Sequence, residues 1–525
     1  MSIEATLGEA AIEQKLEQFL VVLAVSLSVA TLSQIFSWFR QIPYTLLLVI
    51  VGLGLAFVDI RLVNLSPELI LEIFLPPLLF EAAWNIRWQN LKRNLLPVTL
   101  FAVVGVVISV LGIALALNQF TDLPLPIALL VGASLAATDP VSVVALFRQL
   151  GAGERLTVLM EGESLFNDGV AVVAFGLLVG IPLGIEDFSV TTTITRFFTF
   201  VGIGMGVGSL IGFGISYLTQ RFDLPLVEQS LTLVSAYGTY LITEELGGSG
   251  VIGVVTVGLI LGNFGSRIGM NPRTRLLVSD FWEFLAFFVN SIVFLLIGDR
   301  IDIASLGDSL DLILVAIASL LVTRAIVIYG LGGLSNVLAN TQIGWREQTV
   351  LLWGGLRGSV TIALALSVPA ALQGRQEIIE TVFGVVLFTL LVQGLTIRIF
   401  LQKLNLIGDQ PQRQRYSEAL ARRVALKRVL KYLSETELSP EIEPDYYRYQ
   451  QELVQEQLQS VEEEIETLQN EYPQLRSLTM EQLREQLLDI EADTYAEFIR
   501  TGRLNRNLSP LLQETLADEP DINSD

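Results

Sequence analysis

Asp139 and Asp168 stand where a carboxylate is costly. The first lies in Ala136-Ala137-Thr138-Asp139-Pro140-Val141-Ser142 and the second in Glu163-Ser164-Leu165-Phe166-Asn167-Asp168-Gly169-Val170-Ala171-Val172-Val173, each inside an otherwise apolar segment long enough to cross a bilayer. Ionisable groups at that depth mark ion or proton pathways. Pro140 removes a backbone donor and pushes Asp139 away from helical angles. The first segment therefore reads as a broken transmembrane helix, whose freed carbonyl and N–H groups are tolerated only where they line a buried, ionic cavity. Residues four apart share a helix face, so Ser164 and Asp168 point one way while Glu163 and Asn167 point about a hundred degrees round. Asp168 and Ser164, facing Asp139 and the freed carbonyl of Thr138, make an oxygen cage for a hard cation. Burial favours the neutral form of a carboxylate, so a proton and a cation compete for one site. A bundle that can turn only when that site is neutralised by one or the other performs exchange.

The other embedded charges need their own account. Glu163 requires a partner, and Arg324, deep in an apolar run, is the natural one; Glu163 as an ion ligand is the alternative. Arg357, in Gly354-Gly355-Leu356-Arg357-Gly358, lies at a second helix break, where it balances the partial negative charge of half-helix C-termini. Glu81 follows Pro76-Pro77-Leu78-Leu79-Phe80 and is either on the ion's route or a packing residue. Glu72, Glu244 and Glu245 fit interfacial positions. Asn167 is neutral where a second acid would carry a second proton, leaving Asp168 as the one carboxylate of its helix able to hold a transported proton. Asp139 is expected to stay an anion, held by half-helix N-termini and freed N–H groups.

The elements that position these residues follow from composition. The chain has 525 residues, 52% hydrophobic and 17% charged, against about 25% charged in soluble domains, and reads as an all-α membrane protein. At about 20 residues per span, about thirteen spans are expected: 16–38, 43–58, 66–84, 95–117, 124–147, 157–180, 194–219, 226–246, 250–262, 277–298, 310–338, 347–373 and 377–402. Spans 5 and 12 carry the two breaks, and paired broken helices in corresponding halves point to a substrate site between inverted repeats. With the N-terminus outside, the inner loops gather most of the Arg and Lys residues (among them Arg87, Lys92, Arg93, Arg273 and Arg275), so the positive-inside rule places the C-terminus in the cytoplasm. The acidic N-terminus does not resemble a cleavable signal peptide. Gly202, Gly204, Gly206, Gly208, Gly212 and Gly214 in span 7 lack the strand and turn of a dinucleotide site and imply close helix packing instead.

There is no Cys and no His, which excludes disulfides, thiol catalysis and thiolate metal sites and leaves pH responses to carboxylates. Net charge is -21, with no basic footprint for nucleic acid. The expected division is residues 1–408 in the membrane and 409–525 as an acidic, mainly helical, regulatory tail. In the tail, Arg422, Arg423, Lys427, Arg428 and Lys431 fit anionic headgroups. The acidic stretch from Gln450 to Asn470 reads as a solvated helix or hairpin, and the last ten residues or so as disordered.

The strings at 136–142 and 163–173, with Gly-Gly-Leu-Arg-Gly-Ser at 354–359, resemble the signature of the monovalent cation:proton antiporter family, the electroneutral, prokaryotic NhaP-like sodium/proton exchangers. The resemblance covers roughly residues 15 to 405. It implies a multi-pass plasma-membrane transporter of sodium or lithium against protons, usually a homodimer, without a cofactor. Asp168 would be the ion- and proton-binding group, Thr138, Asp139 and Ser164 its partners, Glu163 and Arg324 a structural pair, Arg357 a break-balancing cation, and Glu81 an acid near the ion route. A potassium/proton antiporter, a cation channel and a membrane-embedded aspartyl hydrolase are the competing readings; a hydrolase does not require paired broken helices, and a channel does not require a single protonatable site.

Overall fold

The computed structural model describes residues 3–36, 42–57, 66–185, 189–221, 224–266, 270–301, 306–339, 341–407, 410–435, 444–472 and 494. Every regular element among them is a helix. The chain divides into two compact units, Met1–Leu406 and Ile407–Asp525.

The helices of the first unit include α1 (Ile3–Ile35), α2 (Tyr44–Phe57), α3 (Leu75–Asn85), α4 (Gly105–Phe120), α5 (Leu125–Ser134), α6 (Val141–Leu150), α7 (Glu154–Leu178), α8 (Val190–Thr219), α9 (Pro225–Glu245), α10 (Gly250–Ile260), α11 (Pro272–Arg300), α12 (Leu310–Ala325), α13 (Trp345–Trp353), α14 (Ser359–Leu366) and α15 (Arg375–Phe388), with shorter helical pieces at Trp88–Arg93, Leu95–Thr99, Gly332–Ala339 and Leu395–Lys403. Helix α1 begins earlier than its apolar run at residue 16, because its acidic first turns continue the same helix. Among the described residues, five helical stretches are long and apolar enough to cross a membrane: Leu95–Phe120, Val190–Thr219, Arg273–Arg300, Leu310–Ala339 and Arg375–Lys403. Wide π turns at Leu69–Phe74, Leu100–Val104, Leu261–Gly265, Ile326–Leu331 and Thr389–Gly394 run into helices without breaking them, a feature that apolar periodicity does not reveal.

Two packing groups form around the middle of this unit. In one, α2 lies along α11, and α10 packs on α3, α8 and α9; in the other, α4 lies between α5 and α12, and α15 packs on α5, α12 and α14. The interrupted segments α5–α6 and α13–α14 meet where the candidate site lies. Starts and stops are locally encoded: Asn271 caps α11 by accepting the Thr274 N–H at 2.7 Å, with Pro272 directly after it, where a missing donor costs nothing.

The glycines of α8 divide by face. Gly204, Gly208 and Gly212 are buried against α10, where a Cβ on Gly208 would run into the Gly253 carbonyl and Thr256, whereas Gly202, Gly206 and Gly214 face open space. Close packing through small residues thus uses only every fourth residue. Gly208→Ala is expected to destabilise the protein by about 1–3 kcal/mol through overpacking. Gly206→Ala should be neutral or gain up to about 1 kcal/mol from helix propensity. Thermal unfolding in detergent compares them, and equal effects would mean that the faces are misassigned.

The second unit is a helical hairpin of α16 (Gln410–Glu435) and α17 (Pro444–Glu471). Tyr416 and Ala419 pack against Val461, Ile465 and Leu468, Lys427 pairs with Glu462 at 2.9 Å, and Gln469 Nε2 donates to the Tyr416 hydroxyl at 2.6 Å. The acidic stretch is therefore one arm of a hairpin. The last ten residues lie outside the described residues.

Candidate functional site

The first interruption spans Leu135 to Pro140. The Ala136 N–H still bonds the Ala133 carbonyl at 3.2 Å, but the next residues leave the helix, and the Asp139 N–H turns to the Leu356 carbonyl of the second interruption at 2.8 Å. Asp139 Oδ1 accepts the Val141 N–H at 3.1 Å in the first turn of α6, and the Ser359 N–H at the start of α14 is a second donor to this carboxylate. Asp139 thus accepts backbone N–H groups at the starts of both α6 and α14. Gly358 is what lets the two interruptions approach, since a Cβ there would overlap the Asp139 carboxylate.

Helix α7 binds the same interruption from the other side. The Ser164 hydroxyl donates to the Thr138 carbonyl, Asn167 Nδ2 donates to Thr138 Oγ1 at 2.7 Å, and the Thr138 N–H reaches Asn167 Oδ1 at 3.3 Å as well as the Asp168 carboxylate. The expected split of the motif into two faces needs correction here. Asn167 does not share Glu163's surroundings; it clamps Thr138, because the non-helical backbone wraps partly around α7. Ser164 uses its proton on Thr138, so its oxygen lone pairs stay available to a cation. Asp168 is 8% exposed, and its Oδ1 is buried with no hydrogen-bond partner among the described residues. A buried acceptor left unsatisfied is costly, and a proton or a cation on that oxygen removes the cost.

Two arginines flank this cage. Arg324 on α12 grips Glu163 with both terminal nitrogens, Nη2 to Oε2 at 3.1 Å, and also donates to the Leu351 carbonyl at 3.0 Å. Arg357, 1% exposed, donates from Nη1 to the carbonyls of Ala136 at 2.9 Å and Ala137 at 2.6 Å. Those carbonyls belong to the other interrupted segment, so Arg357 neutralises the C-terminal end of α5 rather than that of its own segment. Arg357 is within electrostatic reach of Arg324, Glu163 and Asp168, which makes these charges one buried cluster.

Glu81 belongs to a different group. It accepts from Asn85 Nδ2 at 2.5 Å and is within electrostatic reach of Arg148, Glu161 and Glu283; Arg148 pairs with Glu161 at 2.7 Å and links α6 to α7. Glu72, Glu244 and Glu245 are exposed. Among the described residues, no three of His, Cys, Asp and Glu converge as a metal site would require. The cage offers two carboxylates and neutral oxygens, the kind of donor set that suits a hard cation.

A family model described as sodium/hydrogen exchanger, transmembrane, matches residues 23–403. The chain belongs to this family. It is 73% identical to the Na(+)/H(+) antiporter ApNhaP of Aphanothece halophytica over 98% of this chain and 99% of that protein. It is 63% identical to the low-affinity Na(+)/H(+) antiporter NhaS1 of Synechocystis over 95% and 96% of the two. The sodium proton antiporter MjNhaP1 from Methanocaldococcus jannaschii has a similar fold, with a TM-score of 0.62 at 22% identity over 76% of this chain and 100% of that one.

In this exchanger, sequence reasoning missed several residues around the cage. Tyr44 at the start of α2 bonds Asn290 and is within electrostatic reach of both Asp139 and Glu81, which puts it between the cage and the outer acidic group. Thr45 bonds Ser142, and the Thr361 hydroxyl donates to the Ala137 carbonyl at 3.2 Å. The one available signal was Asn290, a lone amide in an apolar, Phe-rich run.

Proposed function

We propose that the chain exchanges sodium or lithium for protons, one for one, through alternating access of a single site made by Asp168, Asp139, Ser164 and Thr138. The observation that carries the stoichiometry is the charge of the buried cluster. Glu163, Asp139 and Asp168 are three carboxylates, Arg324 and Arg357 two guanidinium groups, and the sum is one negative charge. One proton or one monovalent cation neutralises it, and a charged cluster pays the full desolvation cost of moving through the bilayer centre. Asn167 contributes no charge, so the helix has no second acid to carry a second proton.

In this reading the two interruptions are broken crossing helices of inverted repeats, with about thirteen spans in all. Residues 1–408 form the transport unit in a plasma membrane, the tail is cytoplasmic and regulatory, and the protein works as a homodimer surrounded by lipid. Truncation near Pro411 that leaves exchange intact supports a purely regulatory tail. Stoichiometry is tested in proteoliposomes clamped with potassium and valinomycin. The sodium-driven pH change is expected to be indifferent to the imposed potential; a rate that follows the potential, or a measurable current on a supported membrane, rules out one-for-one exchange.

A further inference from the structure

The tail hairpin is electrically polarised. Helix α16 contains seven basic residues and two acids, and α17 contains eight acids and one basic residue. The hairpin core takes Tyr416, Ala419, Leu420 and Leu426 from α16. Roughly opposite on the helix lie Arg422, Ala425, Arg428, Val429 and Tyr432, all exposed, with Val429 44% and Tyr432 68% accessible. At 3.6 residues per turn these five form one outward stripe in which cations flank apolar and aromatic side chains; Glu418 is an acid on the same side. Such a stripe fits a bilayer surface, where the apolar groups enter the headgroup boundary and the cations meet phosphate.

From the hairpin geometry and charge we infer that the outer face of α16 docks on the anionic leaflet on the side of the membrane where the tail emerges. Two further facts single out lipid as the occupant. Lys403 ends the last long apolar stretch and α16 starts at Gln410, a tether of a few residues that spans at most about 25 Å. The acidic charge that could quench the stripe is concentrated on the partner helix, which already uses Glu462 to hold Lys427. Headgroup attraction acts within a Debye length, about 10 Å at 0.1 M salt and 3 Å at 1 M. The docked fraction therefore falls as the salt in contact with the tail rises, which makes the hairpin a sensor of the ionic strength that an exchanger regulates.

The chain has no cysteine, so one introduced thiol reports one place. Full-length Ala425→Cys and Ser460→Cys, each with an environment-sensitive dye, are compared in nanodiscs of phosphatidylcholine alone and with phosphatidylglycerol added. The Ala425 probe is expected to shift to the blue in the anionic discs and to return as salt is raised from 50 mM to about 0.5 M, while the Ser460 probe on α17 stays unchanged. Arg422→Gln or Arg428→Gln should each weaken docking about fivefold. An Ala425 probe that is insensitive to lipid charge overturns the inference. So does a shift that survives both arginine substitutions, or one that follows protein concentration and so reports a second copy.

Discussion

Asp168→Asn is expected to reduce cation-dependent proton flux to background in everted vesicles, while expression, insertion and thermal stability stay near those of the parent. The amide has the shape of the carboxylate, and the oxygen it replaces has no hydrogen-bond partner among the described residues, so little packing is lost. The charge of the cluster changes, however. Without Asp168, two carboxylates face two guanidinium groups, the site is neutral with nothing bound, and neither proton nor cation is needed for the bundle to turn. Asp139→Asn makes the same change and should abolish or severely weaken exchange. Sodium- or lithium-dependent flux retained in the Asp168 variant would sink the assignment.

Neutralising Glu163 or Arg324 alone should cost stability as well as alter the charge of the cluster. Both side chains are nearly inaccessible, 1% and 7% exposed, and removing one leaves the other as a buried unpaired charge, at about 3–5 kcal/mol. Arg324 also holds the Leu351 carbonyl beside the second interruption, so Arg324→Gln is expected to be the worse of the two. The double variant Glu163→Gln with Arg324→Gln should recover part of the loss, because no unpaired charge remains. Thermal denaturation in detergent measures all three. If both single variants melt with the parent, the pair does not hold these helices together.

The pattern of what could be read beforehand is physical. A carboxylate in an apolar run is conspicuous, which is why Asp139, Asp168 and Glu163 stood out, and a buried charge demands an opposite one, which led to Arg324. Pro140 and the glycines around Arg357 announced non-helical backbone. The destination of Arg357 was not readable, because which carbonyls it meets depends on how two segments cross, and local periodicity carries no information about crossing. Tyr44's reach toward Asp139 and Glu81 exists only once α2 lies against α11. In the tail, charge indicated helices, but a choice between single helix and hairpin required knowing that Tyr416 and Ala419 find Val461, Ile465 and Leu468. The two-face division of α7 did not foresee that Asn167 also reaches the broken segment, bonding Thr138 through both its amide nitrogen and its amide oxygen.

The Asp139 N–H is satisfied by Leu356, and the Arg357 guanidinium by Ala136 and Ala137, 221 and 220 residues away. Neither interruption can therefore change its path alone. Substitutions at Ala137, Leu356 and Gly358 should not add, and double-mutant cycles between the two segments are expected to give coupling energies of about 0.5–3 kcal/mol. For a diverging lineage the two halves are bound together: a change accepted at one interruption is conditional on the residue at the other. Drift at this site should leave its record as paired replacements more than two hundred positions apart.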